Sequence, residues 1–131
     1  MMEYALFALP IQSGKSEAAR AFLNELETQR KSDYDASEQR LGITREVWAI
    51  QQTPMGELFA VFFQSTDIGG AVASFVGSQD EFDQWFKQQV KDTTGVDLNV
   101  PPPGPLSEIL SVYEASTGAG STAGRDVAAG I

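Results

Sequence analysis

Residues Arg45–Ser65 read REVWAIQQTPMGELFAVFFQS. Two runs rich in Val, Ile, Phe and Trp flank Thr53-Pro54-Met55-Gly56. Branched and aromatic side chains suit a pleated, half-buried backbone. Proline fixes φ where a type I turn needs it, and glycine supplies the positive φ that a following bulge requires. The stretch reads as a β-hairpin. It decides the fold, because the flanking segments must be arranged around an antiparallel pair.

Upstream, Glu3–Leu9 is a short apolar run ended by Pro10, which suits a strand covered on both faces. Ser13 is placed to cap a helix beginning near Gly14 or Lys15. Ala19, Phe22, Leu23, Leu26, Tyr34 and Leu41 follow at spacings of three, four and seven, so the helix is expected to run to Gly42. A helix of about 26 residues would be roughly 39 Å long. Downstream, Asp67 can cap a short helical piece, Gly69–Val76. Ser78-Gln79-Asp80-Glu81 resembles a capping box opening a helix to about Lys91, with Phe82, Trp85, Phe86 and Val90 inward and Gly95 at its end. Consecutive prolines make DLNVPPPGPL (Asp97–Leu106) a stiff connection, and Ser107–Glu114 reads as a last strand. From Ser116 the composition shifts to Gly, Ala, Ser and Thr. The expected organisation is one domain over residues 1–115 and a flexible tail over 116–131.

The order β-α-β-β-α-β is the ferredoxin-like arrangement, an α+β fold with an antiparallel sheet of order 4-1-3-2 and both helices on one face. Alternation then divides the strand residues. The first strand offers Tyr4, Leu6 and Ala8 to one face and Ala5, Phe7 and Leu9 to the other. The third offers Leu58, Ala60 and Phe62 against Phe59, Val61 and Phe63. Both faces are apolar, yet helices cover only one, which points to a second sheet from an identical subunit. Phe7, Phe59, Val61 and Phe63 are the expected interface residues; the alternative is a cover supplied by the tail.

The element order, the apolar strands and the Pro10–Glu17 opening P-x-x-x-G-K-x-E together resemble the dimeric α+β barrel superfamily, with its antibiotic-biosynthesis-monooxygenase-like members. Leu41–Phe63, Ser78–Val90 and Gly95–Pro105 resemble a bacterial group within it, and the resemblance covers about Glu3–Glu114. It implies a homodimer with face-to-face sheets and a ligand cleft between sheet and helices. It also implies a cofactor-free monooxygenase or isomerase acting on an aromatic or polyketide-like substrate. No catalytic residue carries over.

Composition closes several chemistries. The 131 residues include no cysteine and no histidine, which removes thiol nucleophiles, Ser-His-Asp relays and thiolate or imidazole metal sites. A net charge of −9 disfavours nucleic acid and anionic membranes as partners. The opening MMEYALFALP lacks the basic segment of a signal peptide, so a cytoplasmic protein is expected. Gly14-Lys15-Ser16 resembles the end of a phosphate-binding loop, but Leu9 stands where the leading glycine is required. No nucleotide, metal or other cofactor is expected.

Arg30 and Tyr34 interrupt the apolar stripe of the first helix. A charge aimed at a core must be paired or lie at a cavity. In a cleft, Arg30 would pair with a ligand oxygen and Tyr34 would donate a hydrogen bond; otherwise the far half of an overhanging helix is solvated. Trp48 and Gln51 on the hairpin are the other ligand candidates, against a core tryptophan and an edge glutamine facing water. The function expected first is binding of a small organic molecule. The enzyme implied by the resemblance and an assembly component recruited through the tail are the alternatives.

Overall fold

The hairpin forms as its turn residues dictate. In the computed structural model, which describes residues 1–104 and 106–115, β2 (Ile43–Thr53) and β3 (Gly56–Ser65) pair antiparallel with Thr53 opposite Gly56. Gly56 adopts φ 120°, which a side chain would oppose, and the Thr53 hydroxyl accepts from the Met55 amide at 3.1 Å. β1 (Glu3–Pro10) pairs antiparallel along the other edge of β3, giving the order β1-β3-β2.

The expected first helix is two. α1 (Ser16–Glu27) and α2 (Lys31–Leu41) are separated at Thr28–Arg30, where Thr28 leaves helical geometry and the Arg30 amide reaches back to the Glu25 carbonyl at 2.8 Å. The cause is legible in the side chains. Ala19, Phe22 and Leu26 bury one face of α1, whereas α2 is polar nearly throughout and fully buries only Ser37. A straight helix would have overhung the sheet; the break turns α2 onto β2 and α3. Lys15, not Ser13, precedes α1, and no side chain caps it.

α3 (Ile68–Gly77) starts as expected at Asp67, whose carboxylate accepts from the Gly70 amide at 2.9 Å. α4 (Glu81–Thr94) is capped by Asp80, which accepts from the Phe82 amide at 2.9 Å. Ser78 instead turns its hydroxyl to Asp83 at 2.6 Å. Gly42 and Gly95 close α2 and α4 in the left-handed region at φ 78° and 82°. None of the helices among the described residues is long and apolar enough to cross a membrane.

The expected fourth strand is absent. Ser107–Glu114 runs beside β1 without ladder pairing: the Ser107 hydroxyl accepts from the Leu6 amide at 3.1 Å, and Tyr4 donates to Glu114 at 2.5 Å. Its strand-like side chains have nothing to pack on, and Leu110, Val112 and Tyr113 are exposed. The sheet is therefore three-stranded among the described residues. The fold is α+β and antiparallel, in the ferredoxin-like order as far as its last helix. The tail at 116–131 lies outside the described residues.

The helices cover one face of the sheet. Phe59, Val61 and Phe63 on that face are buried, with Phe7 half-buried among them, so these expected interface residues form the core instead. Alternation separates two faces without saying which one the helices choose. Phe22 sits at the centre, edge-on to Trp48, Phe59, Trp85 and Phe86 at centroid distances of 5.8, 6.2, 5.7 and 5.1 Å. The opposite face remains apolar and open: Leu6 is 49% and Val47 48% exposed, with Leu58 and Phe62 half-buried beside them.

Two buried charges lock the helices together. Asp83 accepts from Ser37, Ser78 and Arg40 at 2.5, 2.6 and 2.9 Å, joining α4 to α2 and the α3–α4 turn. Lys87, one helical turn on, donates to the Val76 and Ser78 carbonyls at 3.1 and 3.2 Å and to Asn99 at 3.0 Å. Every donor position of that ammonium is thus occupied, as a buried charge requires.

A candidate ligand cavity with a carboxyl pair

Between the sheet and the α2–α3 pair lies a cavity of about 600 Å³. Phe7, Val61 and Phe63 line it from the sheet, and Val72, Phe75 and Phe86 from the helices. Pro101–Pro103 and Leu106 line it from the connection after α4. The walls are overwhelmingly hydrocarbon, and the volume suits a small organic molecule.

Its polar groups gather where α2 faces β2. Tyr34 and Glu38 stand one helical turn apart on α2, so they share a face. Glu46 and Trp48 are two residues apart on β2 and point to the same side of the sheet. All four line the cavity. The Tyr34 hydroxyl donates to Glu46 Oε2 at 2.9 Å, and the Trp48 indole N–H donates to the same oxygen at 2.7 Å. Glu38 and Glu46 lie close enough for each carboxyl to bias the other's proton.

Two carboxyls in contact inside hydrocarbon cannot both ionise cheaply. Burial, and then the neighbouring Glu46, push Glu38 far above the ordinary carboxylate range. Burial also raises Glu46, but the donors Glu38, Trp48 and Tyr34 oppose that rise. The result is asymmetric. Glu46, held by two fixed donors, is the partner suited to carry charge, and Glu38 is the partner suited to keep the proton. Burial pushes the Tyr34 phenol strongly up, and Glu46 adds to this, so it serves as a donor throughout the accessible pH range.

Of the side chains expected to meet a ligand, Tyr34 and Trp48 come together at the cavity. Arg30 does not. At the α1–α2 break it pairs with Asp33 and Glu81, both at 3.1 Å, and lies 4.5 Å from the centroid of the Trp85 ring. Gln51 lies exposed on the open face of the sheet, its amide donating to the Gln52 carbonyl. The two glutamates escaped the sequence reading, although a signal exists. Counting back by twos from Ile50 and Trp48 puts Glu46 on the covered face, and counting one turn on from Tyr34 reaches Glu38. Among the described residues, no group of three or more His, Cys, Asp or Glu side chains is placed to hold a metal ion.

No protein-family model matches the chain, and no curated protein is similar to it above chance. Among solved structures, that of tetracenomycin F2 cyclase from Streptomyces glaucescens, a type-II polyketide cyclase, is similar over 88% of this chain and 97% of that one, with a TM-score of 0.45 and 15% identity.

Proposed function

We propose that the chain binds a small, uncharged and largely apolar organic molecule in the cavity between sheet and helices. The supporting observation is the cavity itself: about 600 Å³ walled largely by hydrocarbon, with Tyr34, Glu38, Glu46 and Trp48 gathered where α2 faces β2. That end carries two carboxyls, and the cation expected there, Arg30, is committed to Asp33 and Glu81. An anionic ligand would therefore face two acids with no cation from Arg30 to offset them, whereas a neutral hydroxyl or carbonyl finds partners. A matched pair of probes tests both halves of the proposal. 1-Naphthol is expected to quench tryptophan fluorescence and raise Tm; 1-naphthoate, of similar shape but anionic, is expected to do neither. Val76→Trp, which puts an indole into the cavity wall, should weaken naphthol binding at least tenfold. Failure of naphthol to bind, or binding untouched by Val76→Trp, refutes the reading.

We also infer that two copies pair through the open face of the sheet. Leu6 and Val47 are exposed there next to Leu58 and Phe62, and a contiguous apolar face of this kind is unusual on a protein that stays monomeric. A two-fold axis would lay the same patch against itself. Light scattering on the full chain and on a chain ending at Ala115 separates pairing through the sheet from pairing through the tail.

A further inference from the structure

We infer that Glu38 and Glu46 form an acid–base pair that moves a proton between carbon and oxygen of a neutral carbonyl compound held in the cavity, an inference that rests on the ligand-binding reading above. The observation behind it is a division of labour already built into the cavity wall. Tyr34 and Trp48 both donate to Oε2 of Glu46, which leaves Oε1 for Glu38 or for a ligand. Structural carboxylates in this same protein look different. Asp83 is saturated by Ser37, Ser78 and Arg40 and is screened from solvent, whereas Glu38 and Glu46 end at an open, apolar volume of ligand size.

The step follows from that arrangement. A ligand carbonyl oxygen entering the polar end replaces Glu46 as the acceptor of the Glu38 O–H. Glu46 thereby loses one of its three donors and becomes more basic as the substrate arrives. It takes a proton from the carbon next to the carbonyl. The C–H electron pair becomes the new C=C bond, the C=O π pair moves onto oxygen, and that oxygen takes the proton of Glu38. The product is the enol; Glu46 is now protonated and Glu38 ionised. When the ligand leaves, the proton passes from Glu46 to the neighbouring Glu38, restoring the starting state. No oxidant, reductant or second substrate enters. General acid–base catalysis of this type contributes about 10²–10⁴-fold. The charged and titratable groups that act on the pair are Tyr34, Asp35 and Asp83, and beyond Tyr34 also Glu27. None of these is a cation, and Arg40 on α2 is paired with Asp83.

The experiment follows exchange of the α-hydrogens of 2-tetralone for deuterium by NMR, with binding measured separately by tryptophan fluorescence. Full-length protein is expected to accelerate exchange at least 100-fold over free glutamate at equal concentration. Glu46→Gln, whose amide oxygen can still accept from Tyr34 and Trp48, should bind tetralone normally and lose the acceleration; Glu38→Gln should lose at least tenfold. Tetralone that binds without accelerated exchange, or acceleration that survives Glu46→Gln, overturns the proton transfer and leaves ligand binding standing. If neither tetralone nor 1-naphthol binds, the ligand-binding reading falls and takes this proposal with it. Should the variants fail to fold, the unaltered chain decides. A rate that levels off across neutral pH and then falls as Glu38 loses its proton supports the pair, and a rate that simply tracks hydroxide refutes it.

Discussion

Replacing Glu38 by Gln should change how stability depends on pH in a manner that few other single substitutions in this chain can. In the native state the Glu38–Glu46 pair keeps a proton that the unfolded chain releases above the ordinary glutamate value of 4.5. The native state therefore binds more protons than the unfolded state, and stability must fall as pH rises from that value towards the raised native one. One excess proton corresponds to about 1.4 kcal/mol per pH unit, or about 2.7 kcal/mol between pH 5.5 and 7.5. That window is clean. The chain has no histidine, and Asp83, Asp97, Glu57 and Glu81 are held below their ordinary values by their partners, so they titrate beneath it. In Glu38→Gln the second acid is gone while Tyr34 and Trp48 still donate to Glu46, so the slope should become shallower. Relative to their difference at pH 5.5, the variant should gain up to about 2.7 kcal/mol on the parent by pH 7.5. Urea unfolding at half-unit pH steps, followed by tryptophan fluorescence, measures this directly. A parent protein whose stability is level from pH 5.5 to 7.5 would show that the pair holds no extra proton, and the asymmetry argued for the cavity would be refuted.

Phe22→Ala removes the ring that meets Trp48, Phe59, Trp85 and Phe86, and should cost about 3–5 kcal/mol in urea unfolding with no change in the denaturant slope. Val47→Asp puts a charge on the open sheet face, where Val47 is 48% exposed; on the pairing proposed above, light scattering is expected to report a dimer for the parent and a monomer for the variant. Lys87→Met keeps the buried stem but withdraws three hydrogen bonds from Val76, Ser78 and Asn99, and should destabilise by about 2–4 kcal/mol in the same unfolding assay.

The parts of this fold that were legible from sequence are those that local chemistry settles alone. Thr53–Gly56 is a turn because proline and glycine permit little else; Gly42 and Gly95 end helices because the left-handed region suits glycine. The misreadings share one cause, in that each depended on what a segment packs against. The spacing from Ala19 to Leu41 is compatible with one helix, but the break at Thr28–Arg30 falls where the buried face of α1 gives way to the largely polar α2. Ser107–Glu114 has strand composition, yet a strand is a relation between two chains of hydrogen bonds, and β1 supplies only two isolated side-chain contacts among the described residues. Phe59, Val61 and Phe63 were interchangeable in pattern with Leu58, Ala60 and Phe62 until the helices chose a side.

The candidate site followed the same logic, with Tyr34 and Trp48 legible and their shared acceptor missed. An aromatic residue with a polar tip announces that it wants one partner in an apolar setting. The partner is a glutamate at the start of β2, among charged neighbours such as Arg45, where it passes for surface. What moves it inside is register. Pairing of Glu46 with Phe63 and of Trp48 with Val61 places both on the helix-covered face, and the bulge between Ile43 and Arg45 lets Ile43 reach the same cavity. A buried carboxylate set in a strand whose neighbours at plus two and plus four are Trp and Ile has a desolvation cost that an isoleucine or valine there would avoid. Glu38 on α2 compounds that cost by adding a second acid, where a lysine would have neutralised the first. A packing role alone gives no physical reason for choosing the more expensive pair; the proton transfer proposed for this cavity supplies one.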